Sequence, residues 1–514
     1  MGVPEEIRSI PRPKNTVVVP SGSGYRVRQR VGCKNMDGRR VPTEGGYIGS
    51  IINGKYVPDE PVRKTGSTGR ADIKYYGRVR LCDILNRDII DMLMSHYNRE
   101  ESVEIYCMAT IRCCYPGTRD YQMKDRYDQS FLSEMYPGVN LGKNHVSREQ
   151  MNLGMEYSRI RAFMRDRVAK LKDNDTLIID GCLKQNHSRV DTLSQVSRKT
   201  VKREHKDSLM MYAYNSDTRE PICSKLYPGN MVDSRAIEDF IRTNRIERGI
   251  IVADRGFTLS AIKDAVKDKK DLHYLMPLKS NSDLIDEYGM YDFDSSFFNE
   301  SPIECKKVCC DGFWMYSFRD MAIAKDEEES YLRTHTAKED IQALDVLRKE
   351  FGTIVFQCDL DAPPSKLYSI YQERWLIEML FKFYQTELDL DDTRVNSDYS
   401  DIGSDFIDFL AALMGSRLLN LFQDTKEMET WTFKMSMDFI ERVKMVRIDD
   451  SEEWEMNRLP ITDAVLLANI GLIDRPIVPV EIKKMGRPVG KKDTKPRKTR
   501  SDKGKKHNKG SRHF

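Results

Sequence analysis

Asp180, Asp254 and Glu378 are the residues whose type and setting can do chemistry. Asp180 ends the run Thr176-Leu-Ile-Ile-Asp180, which reads as a short buried strand. Asp254 follows Gly249-Ile-Ile-Val-Ala253, a continuous apolar run suited to a strand covered on both faces, and Gly256 permits a sharp turn after it. Glu378 lies in Tyr371–Gln385, where Tyr371, Arg374, Glu378, Lys382 and Gln385 are spaced by three, four, four and three and so share one face of a helix. Trp375, Ile377, Leu380, Phe381 and Tyr384 fill much of the rest of its circumference, so the helix is expected to be buried as one unit. An ordinary helical ion pair of Glu378 with Arg374 or Lys382 is one account of this pattern. The other is a carboxylate turned towards a metal. Strands of an α/β sheet present ligands at their carboxyl ends, and a helix crossing the sheet can bring Glu378 to the same place. Three carboxylates gathered there raise one another's pKa unless cations balance them. Hard oxygen ligands favour Mg²⁺ or Mn²⁺, and two such ions about 3.5–4 Å apart can clamp a phosphodiester.

The elements that must position these acids follow in order. Leu209–Tyr214 and Ile222–Tyr227 read as strands, Ser234–Ile246 as a helix capped by Ser234, Phe257–Asp268 as a helix and Leu272–Pro277 as a strand. Residues 281–350 are irregular and β-leaning, with Phe313-Trp314 and Tyr316, and the buried rhythm resumes at Thr353–Cys358. Upstream, residues 76–172 read as a helical domain. Within it lie amphipathic segments at Leu81–Tyr97 and Val103–Cys114, and a long helix opened by the capping pattern Ser147-Arg-Glu-Gln150. Residues 1–75 form a small β-rich or flexible module carrying Arg26, Arg28, Arg30, Arg39 and Arg40. Downstream come an apolar helix at Phe406–Leu421, a helical region over 423–478 and a basic tail over 479–514.

The 514 residues are 39% apolar and 32% charged, the composition of a soluble chain. No run is long enough to span a membrane and the first residues lack the apolar core of a signal peptide, so the expected place of work is intracellular. Eleven cysteines contain no C-x-x-C pair, and Cys113-Cys114 and Cys305 with Cys309-Cys310 lack a second ligand pair in sequence, so buried free thiols are expected and zinc is not. The net charge of +3 conceals fourteen Lys/Arg against two Asp between Lys483 and Arg512. A basic tail on a mildly acidic body suits a polyanion partner.

These residues together resemble the DDE transposases of prokaryotic insertion sequences, built on an RNase H-like fold. The closer likeness is to the group with a β-stranded insertion between the second and third acids and a Y-x-x-R-x-x-x-E signature. Tyr371, Arg374 and Glu378 match that signature, and Tyr227-Pro-Gly-Asn-x-x-Asp233 and Ala253-Asp-Arg-Gly-Phe257 are similar to segments common in the family. The spacings of 74 positions from Asp180 to Asp254 and 124 from Asp254 to Glu378 put the longer gap where the family carries its insertion. Gln385 stands where the signature has a lysine, and Lys382 lies one turn earlier on the same face.

The resemblance implies an α/β, RNase H-like catalytic core over 173–280 and 351–422 with a β-rich insertion over 281–350. A helical DNA-binding region would precede it and a helical C-terminal region follow it. It implies Asp180, Asp254 and Glu378 as the ligands of two Mg²⁺ ions, with Mn²⁺ able to substitute. Tyr371, Arg374 and Lys382 would contact the DNA backbone, Arg255 would either do so or pair with Asp254, and Trp314, with Phe313 as runner-up, would hold a base turned out of the stack. Met485-Gly-Arg487-Pro is similar to the core of an AT-hook, which would place Arg487 in a minor groove, but the match is short and a generic phosphate-binding tail is the preferred reading. The expected activity is transposition: binding the terminal inverted repeats of an insertion sequence, cleaving a strand and transferring it to target DNA. The expected partners are double-stranded transposon ends and target DNA and a second copy of the chain on that DNA, with no membrane and no small-molecule substrate. The expected location is the prokaryotic cytoplasm, at the nucleoid. A catalytically silent DNA-binding protein and an RNase H-like nuclease without strand transfer are the alternatives.

Overall fold

The computed structural model describes residues 3–21, 24–36, 39–58, 71–197, 205–254, 256–335, 344, 347–448 and 453–474. Two compact units divide the chain. The smaller is formed by Met1–Asp72 with Arg447–Glu453, and the larger by the rest.

In the smaller unit, Thr16–Ser21 (β1), Gly24–Met36 (β2), Arg39–Ile52 (β3) and Lys55–Pro58 (β4) make a four-stranded antiparallel sheet in sequence order. Its alternating residues put Val18 and Val27 inside. The guanidinium groups of Arg26 and Arg28 lie 4.2 and 4.3 Å from the centre of the Tyr47 ring, so the arginines are held as a stacked cluster.

The larger unit begins with Ala71–Tyr75 (β5) and a set of helices, and then builds a ten-stranded mixed sheet. Its strands are Thr176–Asn186 (β6), Asp207–Asn215 (β7), Glu220–Pro228 (β8), Arg248–Ala253 (β9), Asp271–Pro277 (β10), Ser295–Asn299 (β11), Ser301–Cys310 (β12), Phe313–Asp320 (β13) and Thr353–Cys358 (β14). Asp392–Thr393 (β15) pairs with the far end of β6. The order is β11-β12-β13-β14-β10-β9-β6-β7-β8, with β6, β9 and β10 parallel and β7 antiparallel to β6. Every residue of β7 is buried, as is all of β9 after Arg248, which is why both read as apolar runs.

The segment between the second and third acids does not make a sheet of its own. Its strands extend the core sheet through β14, which pairs antiparallel with both β13 and β10. It is also part helical, with helices at Asp283–Glu287 and Met321–Thr334.

A 27-residue helix, Asp398–Asp424, is the axis on which the other helices pack, and it is capped by the Ser397 hydroxyl accepting from the Ser400 amide. Two glycines allow the close approach of its neighbour, the Lys143–Met155 helix. A Cβ on Gly403 would stand 1.9 Å from the Gln150 carbonyl oxygen, and one on Gly154 would stand 1.8 Å from that of Tyr399. One buried cluster runs from Val79 through the sheet to Leu472, so the helices before β6 and the sheet share a core.

Several expected boundaries move. The strand carrying Asp180 continues to Asn186, because β7 pairs with it as far as Gln185. Ser147 lies inside the Lys143–Met155 helix, which is followed by a separate Tyr157–Val168 helix. The helix expected from Ser234 starts at Asp233 after Val232. The helix Arg99–Cys114 starts earlier than expected because Asn98 and Glu101 form a reciprocal capping box. Lys444–Ile448, expected to be helical, is a strand.

Candidate active site

Parallel pairing sets the first two acids side by side. Ile179 of β6 faces Ala253 of β9, so Asp180 and Asp254 are the next residues along two adjacent strands, which lie about 4.8 Å apart. The Asp180 carboxylate accepts a hydrogen bond from the Gly181 amide at 2.8 Å.

The stretch bearing Glu378 is not the single buried helix that its spacing suggests. It is divided into Pro364–Gln372 and Trp375–Lys382, with a turn at Glu373-Arg374 and a π-turn at Phe383–Glu387. The break turns Trp375 and Met379 to solvent, 54% and 46% exposed, on the same side as Glu378. Tyr371 stays on the first helix, its ring 4.4 Å from that of Phe356 on β14.

Arg374, at the break, joins the acids. One terminal nitrogen is 3.4 Å from Asp254 and the other 3.0 Å from Glu378, and Asp180 adds to the field that holds its proton more tightly. Burial works the other way on this guanidinium, but the neighbouring Tyr371, Asp254, Glu378 and Asp180 together outweigh it. The helical ion pair is therefore present, and the same guanidinium also reaches Asp254.

Among the described residues, the groups of three Cys, His, Asp or Glu donors within 4.8 Å of one another are Cys82/Cys113/Cys114 and Glu104/His145/Glu149. The three acids are set wider, with a guanidinium among them. Arg374's two pairs are partly exposed, with carboxylates 42% and 55% accessible, and pairs of that kind are worth only about 0.2–1 kcal/mol each. A divalent ion can thus displace the guanidinium at small cost. Asp180, Asp254 and Glu378 fit the group as an all-oxygen donor set.

Beneath the acids, one face of β6 is bolted to the segment after Glu378. Asp180, Cys182 and Lys184 alternate onto the same face. The Gln385 amide donates to the Cys182 sulfur at 3.2 Å, so the residue in the signature lysine position is turned to the strand. Lys184 is fully buried and donates to the Tyr384 hydroxyl at 3.2 Å and to Asp408 at 2.6 Å, and Arg112 reaches the other Asp408 oxygen at 2.5 Å. Asp401, Asp405 and Asp408 are all buried on the long helix. Sequence reasoning passed over this network. Its signal was three aspartates spaced by four and three within an apolar helix.

The other candidate positions fall as follows. Lys382 is exposed and lines a groove with Trp375, Met379 and Arg219. Trp314 is half-buried on β13, with the Lys307 ammonium 4.4 Å over its ring. Phe313 lies beside it, under the Lys263 ammonium at 5.0 Å. Arg255 and Arg487 lie outside the described residues. No described helix is long and apolar enough to cross a membrane.

No curated protein matches the chain. The cryo-EM structure of the piggyBac transposase synaptic complex with hairpin DNA aligns at 10% identity and a TM-score of 0.38, covering 72% of this chain and 80% of that one. Residues 165–398, which hold all three acids, match the family model described as a transposase DDE domain.

Proposed function

We propose that the chain is the transposase of an insertion sequence, binding its terminal inverted repeats and catalysing Mg²⁺-dependent strand cleavage and strand transfer. The observation that carries this reading is the juxtaposition of Asp180 and Asp254 on paired strands with Glu378 brought to them through Arg374. Asp180, Asp254 and Glu378 would hold two Mg²⁺ ions, or Mn²⁺ in their place. Bound there, the ions would activate the attacking oxygen and steady the leaving one.

The protein's own groups have separate tasks. Arg374, released from the carboxylates, has the planar fork that pairs with a phosphate of the strand being cut. Tyr371 and Lys382 flank it along the same strand of DNA. Arg255, beside Asp254 in sequence, is a further phosphate contact. Trp314, with one face under Lys307, offers a stacking surface for an unpaired base. Water is the attacking group in the first step, leaving a 3′-hydroxyl. That hydroxyl is the attacking group on target DNA in the second. Paired ends call for two copies of the chain on the DNA, and Arg487 in the basic tail adds binding that weakens with salt.

The test uses an oligonucleotide carrying the inverted repeat that flanks the gene. Asp180→Asn and Glu378→Gln are expected to abolish Mg²⁺-dependent cleavage while end binding in a mobility-shift assay persists. Loss of binding along with cleavage in both variants would make the acids structural and remove the proposal.

A further inference from the structure

Cys82, Cys113 and Cys114 come together although 31 positions separate the first from the second. Cys82 lies on the Gly77–Met94 helix, and the other two close the Arg99–Cys114 helix. Their sulfurs lie within 4.8 Å of one another, and none of the three residues is exposed. Metal–thiolate bonds are about 2.3 Å long, so three sulfurs around one ion stand about 4 Å apart. Closing the observed group onto an ion therefore takes less than about 1 Å of movement per side chain.

The arrangement already converges on one point. Burial pushes the Cys114 thiol up, but the neighbouring Cys113 and Cys82 thiols and the positive charge of Arg78 together hold it below the usual thiol range. The Arg78 guanidinium donates to the Cys114 carbonyl at 3.0 Å.

The donor set also selects the ion. Thiolates are soft ligands, suited to Cu⁺ and Zn²⁺ rather than Mg²⁺. Zn²⁺ takes four ligands in closed sites. Among the described residues no fourth Cys, His, Asp or Glu joins the group, and full burial leaves no water at hand to complete it. Three-coordination by sulfur is sufficient for Cu⁺.

Beside the group, the Gly77–Met94 helix departs from helical geometry at the buried Asn86 (φ −126°, ψ 16°). There the Asn86 amide donates to the Cys82 carbonyl at 2.8 Å and lies 3.7 Å from the Cys82 sulfur.

We propose that Cys82, Cys113 and Cys114 form a three-sulfur site for Cu⁺ that pins the Gly77–Met94 helix to the Arg99–Cys114 helix. Each thiol that binds gives its proton to solvent, and no electron is transferred. The site is separate from the carboxylates at Asp180, Asp254 and Glu378, so its test does not depend on whether the chain cleaves DNA.

The full chain, reduced and freed of metal, is titrated anaerobically with Cu⁺ against a chromophoric Cu⁺ chelator. One equivalent is expected to be withdrawn from the chelator, with an ultraviolet thiolate-to-copper absorption. Cys82→Ser and Cys114→Ser are expected to abolish the uptake, and Cys223→Ser, on a strand elsewhere, to leave it intact. Since a serine in an apolar site can unfold the helices, X-ray absorption at the copper edge of the unsubstituted chain provides an independent reading. Three sulfur neighbours support the site. Nitrogen or oxygen neighbours, uptake that survives loss of Cys82, or no uptake against the chelator would each overturn it.

Discussion

Replacing Asp408 by asparagine tests whether the buried network, rather than apolar packing alone, fixes the frame of the site. Asp408 is 4% exposed and has a cation on each oxygen, Arg112 at 2.5 Å and Lys184 at 2.6 Å. Burial lowers the proton affinity of both cations, yet both are held net upward, with Asp408 the largest opposing influence on each. Asparagine keeps the shape but leaves two buried cations short of their counter-charge. Removing one member of such a pair costs about 3–5 kcal/mol. Urea unfolding at unchanged m-value reads that loss as a lower midpoint. Lys184→Met alone leaves the Arg112 pair in place and is expected to cost about 1–3 kcal/mol. The double variant should cost less than the sum of the two by at least about 1 kcal/mol, since residues sharing one network couple. Because Lys184 also holds Tyr384, six residues beyond Glu378, cleavage by Lys184→Met should fall further than end binding. Additive single costs, or an Asp408→Asn midpoint equal to that of the unsubstituted chain, would refute the reasoning.

Two further outcomes follow from the same core. Burial, only partly offset by Lys184, pushes Asp405 up to about 6 from 3.8. Its folded pKa exceeds its unfolded one, so its contribution is fully present below pH 3.8 and is lost as pH rises through about 6, a span of about 3 kcal/mol. Asp405→Asn should therefore be more stable than the parent at pH 8, equal to it near pH 4, and flatter between; unfolding midpoints that track the parent across that range would exclude this. Gly403→Ala puts a Cβ 1.9 Å from the Gln150 carbonyl oxygen and should lower the melting temperature, at a cost of about 1–3 kcal/mol. An unchanged melting temperature would mean the helices part freely there.

What could be read from the sequence was what local pattern encodes. The apolar runs before Asp180 and Asp254 marked two central strands because strands covered on both faces have no polar alternation to hide them. The turn after Ala253 and the three-four spacing about Glu378 were equally local. The strand–helix order of the core followed from the same signals, and the observed strand order β8-β7-β6-β9-β10 is built from those elements.

What escaped was pairing between distant residues. Nothing in Thr176–Asp180 shows that its strand runs on to Asn186, because the reason is β7 lying alongside it. Nothing in 281–350 shows that Phe313–Asp320 will find Thr353–Cys358 and so continue the core sheet. The break at Glu373-Arg374 is hidden in a sequence of good helix formers, and tertiary contacts override such propensity. Both residues at the break keep right-handed helical dihedrals, and from there Arg374 reaches Asp254 as well as Glu378. A continuous helix would have satisfied Glu378 by its i–4 neighbour alone, and the acid would have needed nothing from the sheet. One guanidinium is thus common to two acids far apart in the sequence, the one that follows β9 and the one on the helix. The charge that now balances them is the charge a bound cation would supply, so cleavage should require that Arg374 yield its place.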